Sequence, residues 1–375
     1  RRYGGLIANG YYDMKKNLLK TSAVLLLTGA LLLSVFSLYG CGKKGLSFNN
    51  KDFAAVMAKA FSKEVNRITE EDLASIESFS MMTYSQNNYI SITFAGFSEA
   101  SDEEREKLSA SVDITGYTLS DMSDMHYLTG LKYFYGAYLG YSNFDFLKSC
   151  TALENFILDG NSECGDYTFL SNFPNLTSLS LNECQTGSLD FVTKLTGLTS
   201  LTLNSIRIGD DIPYELDFVK PLTELTSLSV EGNWFEDLSP LKELKKLTRI
   251  DFSYGSIEDV SPLADMPQLT FINLTQNCVR DVSSLTTFDP ENFDRIILDL
   301  NSSITDWSPL DYLGDKVQGR PTTRDLEEAN GNTASDAADE EPTDTQKPTV
   351  LDPSGEPDFE NGYGDNEIDI SDFDF

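Results

Sequence analysis

LTSLSVEGNWFEDLSPL (225–241), LTRIDFSYGSIEDVSPL (247–263) and LTFINLTQNCVRDVSSL (269–285) match one another place by place, each starting 22 residues after the last. Apolar, polar and turn residues recur at the same positions in all three. A period this short marks a chain built from stacked units, none of which can bury its apolar residues without a neighbour.

Working outward, the series extends in both directions. Leu131, Leu153, Leu176, Leu198, Leu225, Leu247, Leu269 and Phe293 align at spacings of 22, 23, 22, 27, 22, 22 and 24. A weaker unit, VDITGYTLSDMSDMHYL from Val112, is expected to open it. Each unit fits L-x-x-L-x-L-x-x-N, the leucine-rich-repeat pattern. In its L-x-L stretch two side chains point inward from a short strand while the intervening ones face the opposite side. The Asn place, held by Asn161, Asn233, Asn277 and Asn301, falls where the chain turns inward and can satisfy backbone groups of adjacent coils. Cys184 takes that place in its own unit, and Cys164 and Cys278 read as packing thiols.

After each strand, Asp237–Leu241, Asp259–Leu263 and DWSPL (306–310) supply a turn and two inward anchors. Pro240, Pro262 and Pro309 favour a helical-turn start over a long helix. The expected fold class is α/β: a right-handed leucine-rich-repeat solenoid of eight or nine coils. A parallel sheet roughly 40 Å long would line its concave side, with short helical or 3-10 turns on the convex side.

The first coil needs a cover, and residues 48–78 have the form of a helical cap. Asn49 to Asp52 offer helix-start oxygens, and Phe53, Val56, Met57 and Ala60 share one stripe. A second helix is expected at Thr69, with Asp72 at the capping-box place. Residues 79–110, with YISITFAGF and SDEEREKL, read as an inserted hairpin and helix between the cap and the repeats of 111–315.

The D-F-x-x-x-M-x-K-A-F and I-T-E-E-D-L-A-S-I segments, followed by 22-residue repeats, resemble the internalin-type leucine-rich-repeat proteins of bacteria. The resemblance spans about residues 48–313. It implies the solenoid just described and a surface protein that binds host or neighbouring-cell molecules. It carries no immunoglobulin-like domain and no cell-wall sorting motif into this sequence.

On the expected inner face, the ligand candidates are the rings, cations and polar groups: Tyr133, Tyr135, Asn155, Asp159, Arg249, Asp251, Phe271, Asn273, Arg295 and Asp299. Tyr133, Tyr135, Arg249, Phe271 and Arg295 are the anchors among them, because rings and arginines dominate recognition surfaces. The same tyrosines could instead pack under the 79–110 insertion.

From Met14 the chain reads MKKNLLKTSAVLLLTGALLLSVFSLYGC, a basic start, an apolar run and then small residues. Leu38-Tyr39-Gly40-Cys41 resembles the lipobox of bacterial lipoproteins. That resemblance implies that residues 1–40, an upstream extension and a signal peptide, are removed. Cys41 then carries lipid, residues 41–47 form a linker, and the protein sits outside the cytoplasm on the cell membrane. Stable attachment needs more than one acyl chain.

At the other end, residues 316–375 are expected to be an acidic, disordered tail. Pro321 to Phe375 hold 17 acidic and 2 basic residues with little to bury. Asn361, Asp365, Asp369 and Asp372 place oxygen donors at calcium-loop spacing of the EF-hand or dockerin kind, although Tyr363 and Asn366 break the pattern.

A formal charge of −32 excludes nucleic acid as a partner, because no basic cluster in the repeats overrides it. His126 is the one histidine, so two-His metal motifs are excluded, and no P-loop, G-x-S-x-G, H-E-x-x-H or Cys/His pair is found. No cofactor is expected. The sequence therefore points to a lipid-anchored module binding a protein or glycan, with a glycan-active enzyme, an envelope structural protein or attachment through the tail as alternatives.

Overall fold

The computed structural model describes residues 46–84, 87–209 and 215–321. Cys41, the proposed signal segment and the calcium-spaced residues Asn361, Asp365, Asp369 and Asp372 lie outside them.

The chain enters at helix α1 (Lys51–Ala60), capped by Asn50, whose side-chain oxygen accepts from the backbone N–H of Asp52 and Phe53. Phe53, Val56 and Met57 are buried beneath it. A second helix, α2 (Glu70–Ala74), starts at Thr69, and both halves of the Thr69–Asp72 box close. Asp124 ties the cap to the solenoid. It is fully buried, and its two oxygens accept the backbone N–H of Asn49 at 2.9 Å and Asn50 at 2.8 Å.

The repeats form one side of a long sheet. Its strands are β4 (Tyr133–Ala137), β5 (Asn155–Asp159), β6 (Ser178–Asn182), β8 (Ser200–Asn204), β10 (Ser227–Ser229), β11 (Arg249–Asp251), β12 (Phe271–Asn273) and β13 (Arg295–Ile297). All pair in parallel and in register. The short strands β7 (Gln185–Thr186) and β9 (Arg207–Ile208) pair separately on the return side of their coils. A last strand, β14 (Val317–Gln318), adds to β13, so the sheet runs past residue 315, where the sequence pattern fades.

The segment at 79–110 departs from its sequence reading. Strand β1 (Ile76–Tyr84) pairs antiparallel with β2 (Asn87–Phe94) and in parallel with β4. The hairpin is thus part of the concave sheet rather than an addition to it. Phe79 stacks on Phe134 at 6.2 Å, and Phe134 on Phe156 at 5.5 Å, which carries one aromatic spine from the hairpin into the repeats. The helix read into SDEEREKL is short, α3 (Asp102–Arg105). Val112 does not open the repeat ladder. It lies in β3 (Ser109–Asp113), which pairs antiparallel with β2 at the edge of the sheet. The alternation of VDITG suits either direction of pairing, and β1 already occupies the place beside β4.

The inward leucines form one continuous core along the stack, each contributing about 1.5–3 kcal/mol by leaving water. On the convex side, 3-10 turns start where an aspartate accepts the backbone N–H two residues on. Asp237 takes Ser239 at 2.7 Å, Asp259 takes Ser261 at 2.8 Å and Asp306 takes Ser308 at 2.9 Å. Hydrogen bonds from the backbone and hydroxyl of Ser239 hold the Asp237 carboxyl below its ordinary range, and those from the hydroxyl and backbone of Ser308 do the same for Asp306.

The asparagine places are wired as a ladder. Asn233 Oδ1 accepts from Ile206 N–H, Asn277 from Ile257 and Asn301 from Val279, while each amide donates to carbonyls of its own and the preceding coil. Asn161 is weaker, with one bond to Tyr141 O at 3.4 Å and a buried, unpartnered Oδ1. Ile206 and Gly255 occupy the same place in their coils. The residue just before this place has a left-handed φ in all eight coils: Tyr138, Gly160, Glu183, Ser205, Gly232, Tyr254, Gln276 and Leu300.

Cys150, Cys164 and Cys184 are buried, and desolvation pushes the Cys150 thiol up to about 12 and that of Cys184 to about 11. Cys278 corrects the sequence reading: it is exposed, because the position after the asparagine faces outward, as it does for Trp234.

Candidate functional site: the concave face

Strand alternation sends one set of side chains into the core and the other onto the open face, and the in-register ladder lines up the second set in rows. The first row runs Tyr133, Asn155, Ser178, Ser200, Ser227, Arg249, Phe271 and Arg295. A second row runs Tyr135, Ile157, Ser180, Thr202, Ser229, Asp251, Asn273 and Ile297. In the third, Asp159, Asn182 and Asn204 are in register, and Glu231, Ser253, Thr275 and Asp299 hold the equivalent place in later coils. All ten residues singled out in the sequence therefore stand on this face.

The hairpin widens the face. Met82 pairs with Ala137 and with Tyr89, so Tyr89, absent from the sequence candidates, joins the row that ends in Asp159. Tyr141 is a packing residue. Its hydroxyl donates to Leu119 O at 2.5 Å and its ring meets Phe144 and Phe146 edge-on. Tyr133 and Tyr135 stand on the concave side of β4, with Ser78 and Ser80 of the hairpin strand β1 directly beside them.

Along the second and third rows, from Tyr135 to Thr275, many of the polar groups bond one another. Tyr135 hydrogen-bonds Asp159, and Asn182 Nδ2 donates to Asp159 Oδ1 at 2.7 Å. Burial is the first cause acting on Asp159 and raises its carboxyl above the ordinary range against those two bonds. Ser229 donates to Asn204 at 2.8 Å, Asn273 to Asp251 at 2.8 Å and Thr275 to Asn273 at 2.7 Å. Glu231, half-buried, is raised by desolvation and then by the charge of Asp251. Such a network is pre-organised, so its geometry costs little to hold when something binds.

The first row changes character in the C-terminal coils. Phe271 lies between Arg249 and Arg295 on adjacent strands. The Arg249 guanidinium sits 4.2 Å over the Phe271 ring and 3.5 Å from the Asp294 carboxylate. Both arginines are exposed. The turns that follow β10, β11 and β13 expose apolar residues that the sequence reading passed over: Trp234 is 58% exposed, Tyr254 47% and Leu300 69%. Tyr254 and Leu300 occupy the left-handed place, whose side chain must point outward.

No group of His, Cys, Asp or Glu side chains among the described residues is arranged to hold a metal. The single histidine, His126, is exposed, with Nδ1 2.7 Å from Ser123 O and its ring against Tyr127.

The backbone trace is similar to an internalin (inlF) from Listeria monocytogenes, at 21% identity and a TM-score of 0.50, over 73% of this chain and 70% of that one. The fold is an internalin-type leucine-rich-repeat solenoid. Internalin C2 of Listeria monocytogenes aligns at 21% identity and TM-score 0.46 over 67% of this chain and 94% of that one. The functional domain of InlJ from the same species aligns at 23% and 0.45 over 72% and 56%. No protein-family model matches the sequence, and the curated proteins give no match to it. In this solenoid the concave sheet extends beyond the repeats through β1, β2 and β3.

Proposed function

We propose that this chain is a lipid-anchored, extracytoplasmic recognition protein that binds a protein ligand on the C-terminal half of its concave face. The reading rests on the Arg249–Phe271–Arg295 row, a ring flanked by two exposed cations, with Trp234, Tyr254 and Leu300 exposed in the turns after β10, β11 and β13. Rings and arginines held on rigid strands lose little side-chain freedom on binding, which is why such groups become hot spots. Cys41 supplies the tether, and binding rather than turnover is the activity. Asp159 and Asp251 are engaged by neighbouring amides and hydroxyls, which suits a fixed recognition surface.

The test is a screen of the purified protein on peptide and glycan arrays, followed by affinity measurements on Phe271→Ala, Arg295→Ala and a Ser180→Ala control. The reading expects a protein or peptide hit weakened roughly 30-fold by loss of Phe271 and unchanged in the control. A hit confined to glycans, or turnover that vanishes when single concave carboxylates are changed, would overturn it. Metabolic labelling with a fatty acid, lost in Cys41→Ser, checks the tether.

A further inference from the structure

The two ends of the twelve-stranded sheet are finished differently. At one end β14 is two residues long, and Gly319 at φ 99°, Arg320 and Pro321 follow it at once. Short strands, cations and proline are what keep an edge from pairing. At the other end β3 is five residues, Ser-Ala-Ser-Val-Asp, without proline or a basic residue in the strand.

The register fixes which of its backbone groups are open. Phe94 N–H donates to Leu108 O and Ile114 N–H to Asn88 O, so residues 108, 110, 112 and 114 face β2. By alternation the N–H and C=O of Ser109, Ser111 and Asp113 point away from the sheet. Ser109, Ser111 and Asp113 are exposed, while Val112 is buried.

We infer that β3 pairs antiparallel with β3 of a second copy of this chain, about a two-fold axis through Ser111. The strand's own chemistry selects this occupant. Centred on Ser111, all three outward residues join the ladder, giving about six backbone hydrogen bonds. Ser109 then faces Asp113 of the second copy, and Ala110 faces Val112. A register centred on Asp113 would set two carboxylates directly opposite one another, which is destabilising. The self-paired strand carries no like-charge contact, and the two concave sheets become one. Because each chain carries a formal charge of −32, the association strengthens as salt screens the approach.

The test uses the full chain in detergent micelles, with Cys41 and Cys278 replaced by Ser and a short bis-maleimide as the probe. Ser111→Cys should crosslink to itself, since paired Cα atoms would lie about 5.5 Å apart, and more so at higher salt. Ser109→Cys alone should not, because its two copies would be staggered by roughly 14 Å along the strand. Mixing Ser109→Cys with Asp113→Cys should restore the crosslink, and adding Ser111→Pro to both should abolish it while leaving the β2 ladder intact. Equal crosslinking at 109 and 111, or none at 111, would overturn the proposal. So would crosslinking at 111 that appears only after residues 322–375 are removed, since that would make the chain's own segment the occupant.

Discussion

The side-chain oxygen of Asn277 lies 2.8 Å from the point where a Cβ on Gly255 would stand, with the carbonyls of Asn233 and Phe252 each 3.2 Å from it. Gly255 holds the asparagine place of its own coil, and Asn277 reaches back beside it to accept from Ile257 N–H at 2.9 Å and donate to Phe252 O at 2.8 Å. Gly255→Ala should therefore destabilise the fold by about 1–3 kcal/mol, read as a lower midpoint in urea. An unchanged midpoint would mean that the coils separate freely at this point.

The same ladder predicts an ordering. Asn277→Ala removes a buried amide, leaves the Ile257 N–H and the Phe252 and Leu274 carbonyls without it, and should cost about 1–3 kcal/mol. Asn161→Ala, which removes one bond of 3.4 Å and an unpartnered oxygen, should cost distinctly less. Equal losses would show that the asparagines act through packing alone.

Leu300 is 69% exposed with φ 60°. A side chain there gains little by burial and strains the backbone. Leu300→Gly should raise stability by about 0.5–1 kcal/mol, measured by chemical denaturation, whereas Gly232→Ala, at φ 71° and with Ser205 Oγ 2.6 Å from the new Cβ, should lower it.

Asp124 bonds the cap through Asn49 and Asn50. Asp124→Ala leaves both N–H groups unpaired and should cost about 2–4 kcal/mol. Limited proteolysis should then cut within residues 46–75 before it cuts the repeats; uniform cleavage would count against a separate cap.

Burial and the Asp251 charge raise the Glu231 carboxyl above its ordinary value. The folded state therefore holds the proton more tightly than the unfolded chain, and Glu231 contributes stability at acid pH that is lost as pH rises through its folded pKa. Glu231→Gln should raise the Tm at neutral pH, with the gain vanishing below the unfolded pKa. A gain independent of pH would point to packing rather than charge.

Much of this was legible in the residues themselves. Leucines at a spacing of 22 to 27 can bury their side chains only by stacking, and L-x-L alternation puts Arg249, Phe271 and Arg295 on the same face whatever the details. Four asparagines at one place announced the ladder, and Thr69 with Asp72 announced the second helix of the cap.

Other features had no signal in the pattern. Cys278 read as a packing thiol because free cysteine behaves as a small buried hydrophobe, yet the coil turns it outward. The left-handed place is filled by Tyr138, Glu183, Ser205, Tyr254, Gln276 and Leu300 as well as two glycines, so no residue type marks it. Position in the coil, with the N–H still bonded to the next strand, dictates that conformation.

The sequence alone set the repeat, the inward leucines and the aspartates that start each convex turn, because these depend on contacts within a coil or with the next one. Tertiary structure alone decided that residues 76–94 join the concave sheet beside β4 and that β3 ends it. Strand partners separated by about fifty residues are chosen by which edge is open and which rings can stack, as Phe79 does on Phe134. Alternating apolar residues are compatible with any such edge.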